Sequence, residues 1–161
     1  MKSLTPVIAR IGIRVLTWLS AAAAAAPLGA QPTEAEAGVR GYWQEPSGAV
    51  IQIAPCTEGL CLKIVALPAG DHPHTDVYNP DRGLRGRPLC GLSIGRGFAQ
   101  TDSRHAEGGH LYDPKSGRTY SGSMSAEGNT LRLRGYVGIS LFGRTETWSR
   151  VGPEHVTCAS R

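Results

Sequence analysis

Residues 108–151 read GGHLYDPKSGRTYSGSMSAEGNTLRLRGYVGISLFGRTETWSRV. Short runs rich in Tyr, Thr, Leu and Val are broken here by Pro114-Lys115-Ser116-Gly117 and by Gly128-Asn129, both tight-turn signals. Leu131 and Leu133 alternate with Arg132 and Arg134, which gives a strand one apolar and one polar face. The stretch therefore predicts an antiparallel meander with strands at residues 110–113, 118–126, 130–137 and 141–151.

Working towards the N-terminus, the same punctuation predicts strands at 39–44, 49–55 and 61–67, separated by Glu45-Pro46-Ser47-Gly48 and by Thr57-Glu58-Gly59-Leu60. Residues 68–84 carry too much Pro, Asp, His and Asn for a strand and predict a long loop. A fourth strand is expected over 87–94, followed by an irregular stretch over 95–108 with some strand around Phe98. No segment sustains an apolar period of 3.6, so little helix is expected. Eight strands in up-and-down order are about the minimum that closes into a barrel able to fill its own interior or to hold one small ligand. Closure also removes exposed sheet edges. The expected fold is all-β, a single small antiparallel up-and-down barrel of about eight strands, with a sandwich as the alternative.

Residues 1–30 combine Lys2, Arg10 and Arg14 with no acidic residue, then an apolar stretch ending in the alanine run 21–26, then Pro27-Leu28-Gly29-Ala30. That order is the order of a secretory signal peptide, with cleavage after Ala30. The apolar stretch is about a dozen residues, against the roughly 20 of a membrane-spanning helix. Gln31 stands where a lipid-anchored precursor needs Cys, so no stable membrane anchor is expected after removal. The expected organisation is a leader over 1–30, a disordered stub over 31–38 and one barrel domain over 39–161. The expected location is periplasmic or secreted.

The whole chain carries 17 Lys and Arg against 13 Asp and Glu. Loss of the leader would leave 14 basic residues and a net charge of +1. A basic-protein reading towards nucleic acid thereby loses its support, and no nucleic-acid partner is expected. The remaining 131 residues suit one domain. Only 24 of them are Leu, Ile, Val or Phe, a lean supply of core material.

All four cysteines, Cys56, Cys61, Cys90 and Cys158, follow the leader, and an even number in an oxidising compartment favours two disulfides. Cys56 and Cys61 bracket a four-residue turn and are expected to face each other across a hairpin, which leaves Cys90 with Cys158. A zinc site usually needs two close cysteine pairs, and only one exists here.

Several segments together resemble the bacterial family called domain of unknown function 2147. They are Gly41-Tyr42-Trp43, the hairpin over 56–67, Asp76-Val77-Tyr78-Asn79-Pro80-Asp81, and Arg85-Gly86-Arg87-Pro88-Leu89. The match continues through Leu111-Tyr112-Asp113-Pro114, Gly117-Arg118-Thr119-Tyr120, Leu133-Arg134-Gly135-Tyr136 and residues 143–150, so it spans about 39–151. The resemblance implies an exported protein with a lipocalin-like, or calycin-like, barrel and no assigned activity. One departure is His105-Ala106-Glu107, where the family pattern has a tryptophan, so no role of that aromatic carries over. Gly41-Tyr42-Trp43 is also similar to the Gly-x-Trp of the first lipocalin strand, whose indole is covered by an Arg from the last strand. Arg150 or Arg144, flanking Trp148, are the candidates for that cation over Trp43.

No catalytic constellation stands out. Gly91-Leu92-Ser93-Ile94-Gly95 matches a nucleophile elbow with Asp102 and His105 downstream, but no helical pattern follows it, as that motif requires. Asp71, His72, His74, Asp76, His105 and His110 contain metal-ligand residue types. Pro73 marks a solvated turn there, so surface histidines are the reading, and neither metal nor cofactor is expected. Asp76, Asn79, Asp81, Arg85 and Arg87 predict a clamp holding the long loop over one barrel end, with a binding lid as the alternative. Tyr112, Tyr120 and Arg134 are the candidate ligand contacts, and Tyr136 falls in the same strand group. The expected role is a non-enzymatic protein taking a small, partly apolar ligand. The alternative is a cell-envelope structural or interaction module with a filled barrel and a protein partner on the 76–87 loop. Interior volume separates the two.

Overall fold

The computed structural model describes residues 38–158. The expected leader, and the expected stub apart from Gly38, lie outside these residues. Gly38 itself is buried. The chain forms eight strands: β1 (Gly41–Gln44), β2 (Val50–Cys56), β3 (Gly59–Ala66), β4 (Ser93–Gln100), β5 (His105–Asp113), β6 (Arg118–Glu127), β7 (Thr130–Tyr136) and β8 (Arg144–Val151). Each pairs antiparallel with the next, and β1 pairs with β8, with Trp43 opposite Arg150, so the sheet closes into a barrel. Helical structure among the described residues is limited to three single 3-10 turns.

Up-and-down order sorts the connections into two sets. The turns at 57–58, 101–104 and 128–129 lie at one end of the barrel, with the start of β1. The loops at 45–49, 67–92, 114–117 and 137–143 lie at the other. The first end is solid. Trp43, Phe98, Leu62, Leu131 and Ile53 are under 2% exposed and form its core. Burial of each large side chain stabilises the fold by roughly 1.5–3 kcal/mol. Arg150 seals this end: its guanidinium carbon sits 4.0 Å from the centroid of the Trp43 ring, while its nitrogens donate to the Arg40 carbonyl at 3.0 Å and to the Gly38 carbonyl. The Trp43 indole N–H donates to the Val39 carbonyl at 2.9 Å, so the buried polar atom is satisfied.

Two expectations about strand placement need correction. The fourth strand covers Ser93–Gln100 rather than 87–94, and β5 starts at His105 rather than 110. The cause is that glycines in residues 95–109 read as chain punctuation, whereas Gly95 and Gly109 make room for Leu62 and Phe98 inside the strands. A Cβ on Gly109 would lie 2.3 Å from Phe98 Cδ2, and one on Gly122 2.8 Å from Phe98 Cζ. Both positions are empty so that the Phe98 ring can cross the barrel floor. The hairpin between β2 and β3 is also tighter than expected, turning on Thr57 and Glu58 alone. Cys56 pairs with Gly59 and Cys61 with Ala54, so the disulfide Cys56–Cys61 bridges diagonal neighbours, with Cα atoms 5.8 Å apart, rather than directly opposed ones. The second disulfide, Cys90–Cys158, fastens the C-terminal segment to the end of the long loop. The amides of Thr157 and Cys158 both donate to the Val65 carbonyl beside it.

Candidate functional site

Above the packed floor the barrel is hollow. A cavity of about 470 Å³ opens between the four loops of the second end. Strand alternation builds its walls: Ile51, Ile64, Leu111, Leu133 and Trp148 are apolar inward residues of β2, β3, β5, β7 and β8 that line it. Leu89 and Ile94 extend the wall towards the long loop. Gly135 leaves a gap in it, since a Cβ there would meet only ordinary contacts with Tyr120 at 3.6 Å and beyond.

The rim is polar. Glu45 is nearly buried and receives the amides of Ser47 at 3.1 Å and Ala49 at 3.3 Å, the Ser47 hydroxyl, and the Lys115 ammonium at 3.2 Å. Burial works to raise the Glu45 pKa, but the Ser47 bonds and the Lys115 charge outweigh it and hold the carboxyl below its ordinary value. This contact ties the β1–β2 loop to the β5–β6 turn. Arg144 and Glu146 are the inward positions of β8 above Trp148, and the Trp148 indole N–H donates to Glu146 Oε2 at 3.2 Å. Among the described residues, Arg144 is the charged lining side chain without a hydrogen bond or ion pair.

The long loop is fixed across one side of the mouth by Asp76, which is fully buried. Its Oδ2 accepts from Arg87 Nε at 2.8 Å, Arg87 Nη2 at 2.7 Å and Asn79 Nδ2 at 2.7 Å, and its Oδ1 accepts from the Tyr112 hydroxyl at 2.6 Å. Asn79 Nδ2 also donates to the Tyr112 oxygen at 3.1 Å, and the Arg87 guanidinium lies 5.3 Å from the centre of the Tyr112 ring. Burial alone would raise the Asp76 pKa; the bonds from Tyr112, Asn79 and Arg87 outweigh it, so the carboxyl stays below the aspartate range. Burial, then the Asp76 carboxylate, holds the Tyr112 phenol above its ordinary value. Asn79 Oδ1 accepts the Asp81 amide, Asp81 caps the 3-10 turn through the Gly83 amide, and Arg85 Nε donates to the Asn79 carbonyl. Asp76, Asn79, Asp81, Arg85 and Arg87 thus lie in one bonded group, to which the structure adds Tyr112.

The three candidate ligand contacts separate. Tyr120 lines the cavity. Tyr112 also lines it, but its hydroxyl is taken by Asp76 and Asn79. Arg134 is not on the cavity wall: the alternation that turns Leu133 inward turns Arg134 outward. There it donates to the Ser140 carbonyl at 2.9 Å, the Leu141 carbonyl at 3.2 Å and the Thr145 hydroxyl at 3.0 Å. Arg150, not Arg144, stacks on Trp43. Glu146, Lys115 and Glu45 were not singled out from sequence, although Arg144, Glu146 and Trp148 share one phase of the β8 alternation, a signal that puts all three on the inner face.

The remaining motifs stand apart from the cavity chemistry. Ser93 starts β4, its hydroxyl donating to the Gly95 carbonyl, while Asp102 and His105 bond to each other at the opposite end of that strand. The His72 and His74 rings touch, with centroids 4.9 Å apart. Among the described residues no three His, Cys, Asp or Glu side chains are grouped as metal ligands would be.

The family model described as "Uncharacterized protein conserved in bacteria (DUF2147)" matches residues 41–150. The chain belongs to this family. The fold of this DUF2147 protein is similar to that of HP1028 from the human pathogen Helicobacter pylori, a protein described as belonging to the lipocalin family. The TM-score is 0.65 at 21% identity, covering 72% of this chain and 84% of that one, a likeness of fold. No curated protein matches the chain significantly.

Proposed function

We propose that this DUF2147 protein is an exported, non-enzymatic binding protein that holds one small, partly apolar ligand in the open half of its barrel. The observation carrying the reading is the 470 Å³ cavity, within the size range of small-molecule sites and lined by aliphatic side chains and Trp148 below a charged rim. A filled interior would have favoured the envelope interaction module instead. Export rests on the leader-like order of residues 1–30 and fits the two disulfides, which persist in oxidising compartments such as the periplasm or the extracellular space. Arg144 offers the ligand a positive contact at the rim, and Tyr120 a hydroxyl lower down.

Native mass spectrometry of the protein purified from its own host tests the reading, paired with Gly135→Leu, whose Cβ meets nothing closer than 3.6 Å and whose side chain narrows the cavity. The expected result is a co-purified mass on the wild type that Gly135→Leu loses. Bare protein in both cases, with no change in Trp148 emission across a panel of small amphiphiles, would refute it.

A further inference from the structure

Strand β8 starts at the mouth and runs towards the floor, so its inward residues descend in steps: Arg144 outermost, Glu146 next, Trp148 deepest. Two residues along a strand separate successive steps by about 7 Å. The neighbouring strand β7 matches each of them. Gly135 stands opposite Arg144, Leu133 opposite Glu146 and Leu131 opposite Trp148. Space is left beside the guanidinium, and the apolar wall begins at the level of the carboxylate.

Neither of these two charges is neutralised by the protein. Arg144 and Glu146 share one face of the strand, yet among the described residues neither forms an ion pair, with the other or with any third group. Glu146 accepts one bond, from the Trp148 indole N–H on Oε2, and its Oε1 stays open. The other charged groups of the lining are engaged. Glu45 pairs with Lys115, and Asp113 accepts the Lys115 amide at 2.9 Å and the Ser116 hydroxyl at 2.6 Å. Lys115 and Arg144 thus stand against the carboxylates of Glu45, Asp113 and Glu146, so a ligand with a bare negative charge meets an excess of its own sign. A bare cation drawn to Glu146 lies beside an unpaired Arg144. A head carrying both charges satisfies both residues.

We propose, building on the binding role above, that the ligand is a long-tailed zwitterion whose ammonium faces Glu146 and whose acid group, farther from the tail, faces Arg144. The depth order of the two residues selects a betaine-type head, with the cation nearest the tail, over a phosphocholine-type head, with the anion nearest the tail. The cavity of about 470 Å³ is more than an amino-acid side chain fills, so the tail is longer than that of a free amino acid.

The test uses the full chain and five probes that share a decyl tail and differ in the head: sulfobetaine, phosphocholine, sulfate, trimethylammonium and uncharged maltoside, each below its micellar concentration. Titration calorimetry gives the affinities. Wild type binds the sulfobetaine tightest, by roughly threefold to fivefold over each of the others, the scale of one exposed charge contact. Glu146→Gln, which keeps an acceptor for Trp148, erases the preference over the sulfate, and Arg144→Gln erases the preference over trimethylammonium. Arg144→Glu combined with Glu146→Arg exchanges the order of the charges and moves the phosphocholine into first place. Both side chains are exposed, so unchanged melting curves check that the variants fold.

Equal affinity for all five heads would overturn the zwitterion and leave the apolar cavity as a binding site. The sulfate, trimethylammonium or phosphocholine probe in first place on the wild type would overturn it too. No binding of any probe would refute the cavity reading itself, and the zwitterion with it.

Discussion

Asp76→Asn probes the contact that fixes the long loop over the mouth. The native carboxylate accepts four short hydrogen bonds, three on one oxygen and one on the other, and is fully buried. An amide of the same shape keeps one acceptor and turns the other into a donor. If the amide nitrogen faces Arg87, two donors meet; if it faces Tyr112, that hydroxyl must stop donating. Either way the charge is lost with at least one charge-assisted bond, a class worth about 1.5–3 kcal/mol. Arg87 is a third exposed and regains water, which keeps the total below the 3–5 kcal/mol of a broken, fully buried pair. The expected cost at pH 7 is about 2–3 kcal/mol, or roughly 10 °C in melting temperature for a domain of this size.

The pH dependence gives the sharper check. Because the native carboxyl titrates below an unfolded aspartate, whose pKa is about 3.9, the unfolded chain takes up the proton first on acidification. The stabilisation is complete well above about pH 4 and is lost as pH falls through the native value. Asparagine does not titrate, so the gap between wild type and variant narrows as pH falls below about 4. Urea unfolding followed by circular dichroism from pH 7 to pH 2 measures both quantities. A gap under about 0.5 kcal/mol at neutral pH, or one that persists undiminished at pH 2, would refute the reasoning.

Replacing Cys90 and Cys158 together by Ser opens a loop with a sequence separation of 68 and is expected to cost about 4 kcal/mol in the chain-entropy model, read as a lower urea midpoint under oxidising conditions. An unchanged midpoint would mean that the segment around Val65 holds without the bridge. Gly109→Ala places a methyl group where the Phe98 ring lies and is expected to cost about 1–3 kcal/mol, whereas Gly86→Ala, with nothing within 4 Å of the new Cβ and no positive φ, meets no packing clash. Melting curves of the two variants check the packing role of Gly109: equal melting temperatures would refute it.

Closure, strand number and the pairing of all four cysteines follow from signals local to the chain: alternation in 130–134, turn residues at 114–117 and 128–129, and the spacing of Cys56 from Cys61. The boundaries of β4 and β5 do not, because a glycine that turns the chain and a glycine that makes room for Phe98 are the same letter, and only the barrel brings Phe98 to Gly109 and Gly122. Tyr112 was legible as a mouth residue, yet its hydroxyl belongs to a carboxylate 36 positions earlier in the chain. Arg134 illustrates the opposite case. Its outward direction was already implied by Leu131 and Leu133, and the same alternation applied to β8 yields Arg144 and Glu146 on the inner face. The volume of the cavity, by contrast, depends on how far Trp43 and Phe98 fill the floor, a quantity no local pattern carries.

The split between a solid floor and a hollow top also divides the tasks of the sequence. Residues that hold the barrel shut are clustered around Trp43, Phe98 and Arg150, away from Arg144 and Glu146 at the rim, so under the proposed binding role exchanges at those two positions can retune what is accepted while the scaffold persists. One barrel could thereby be adapted to different cargo in different bacteria by drift confined to its upper layer.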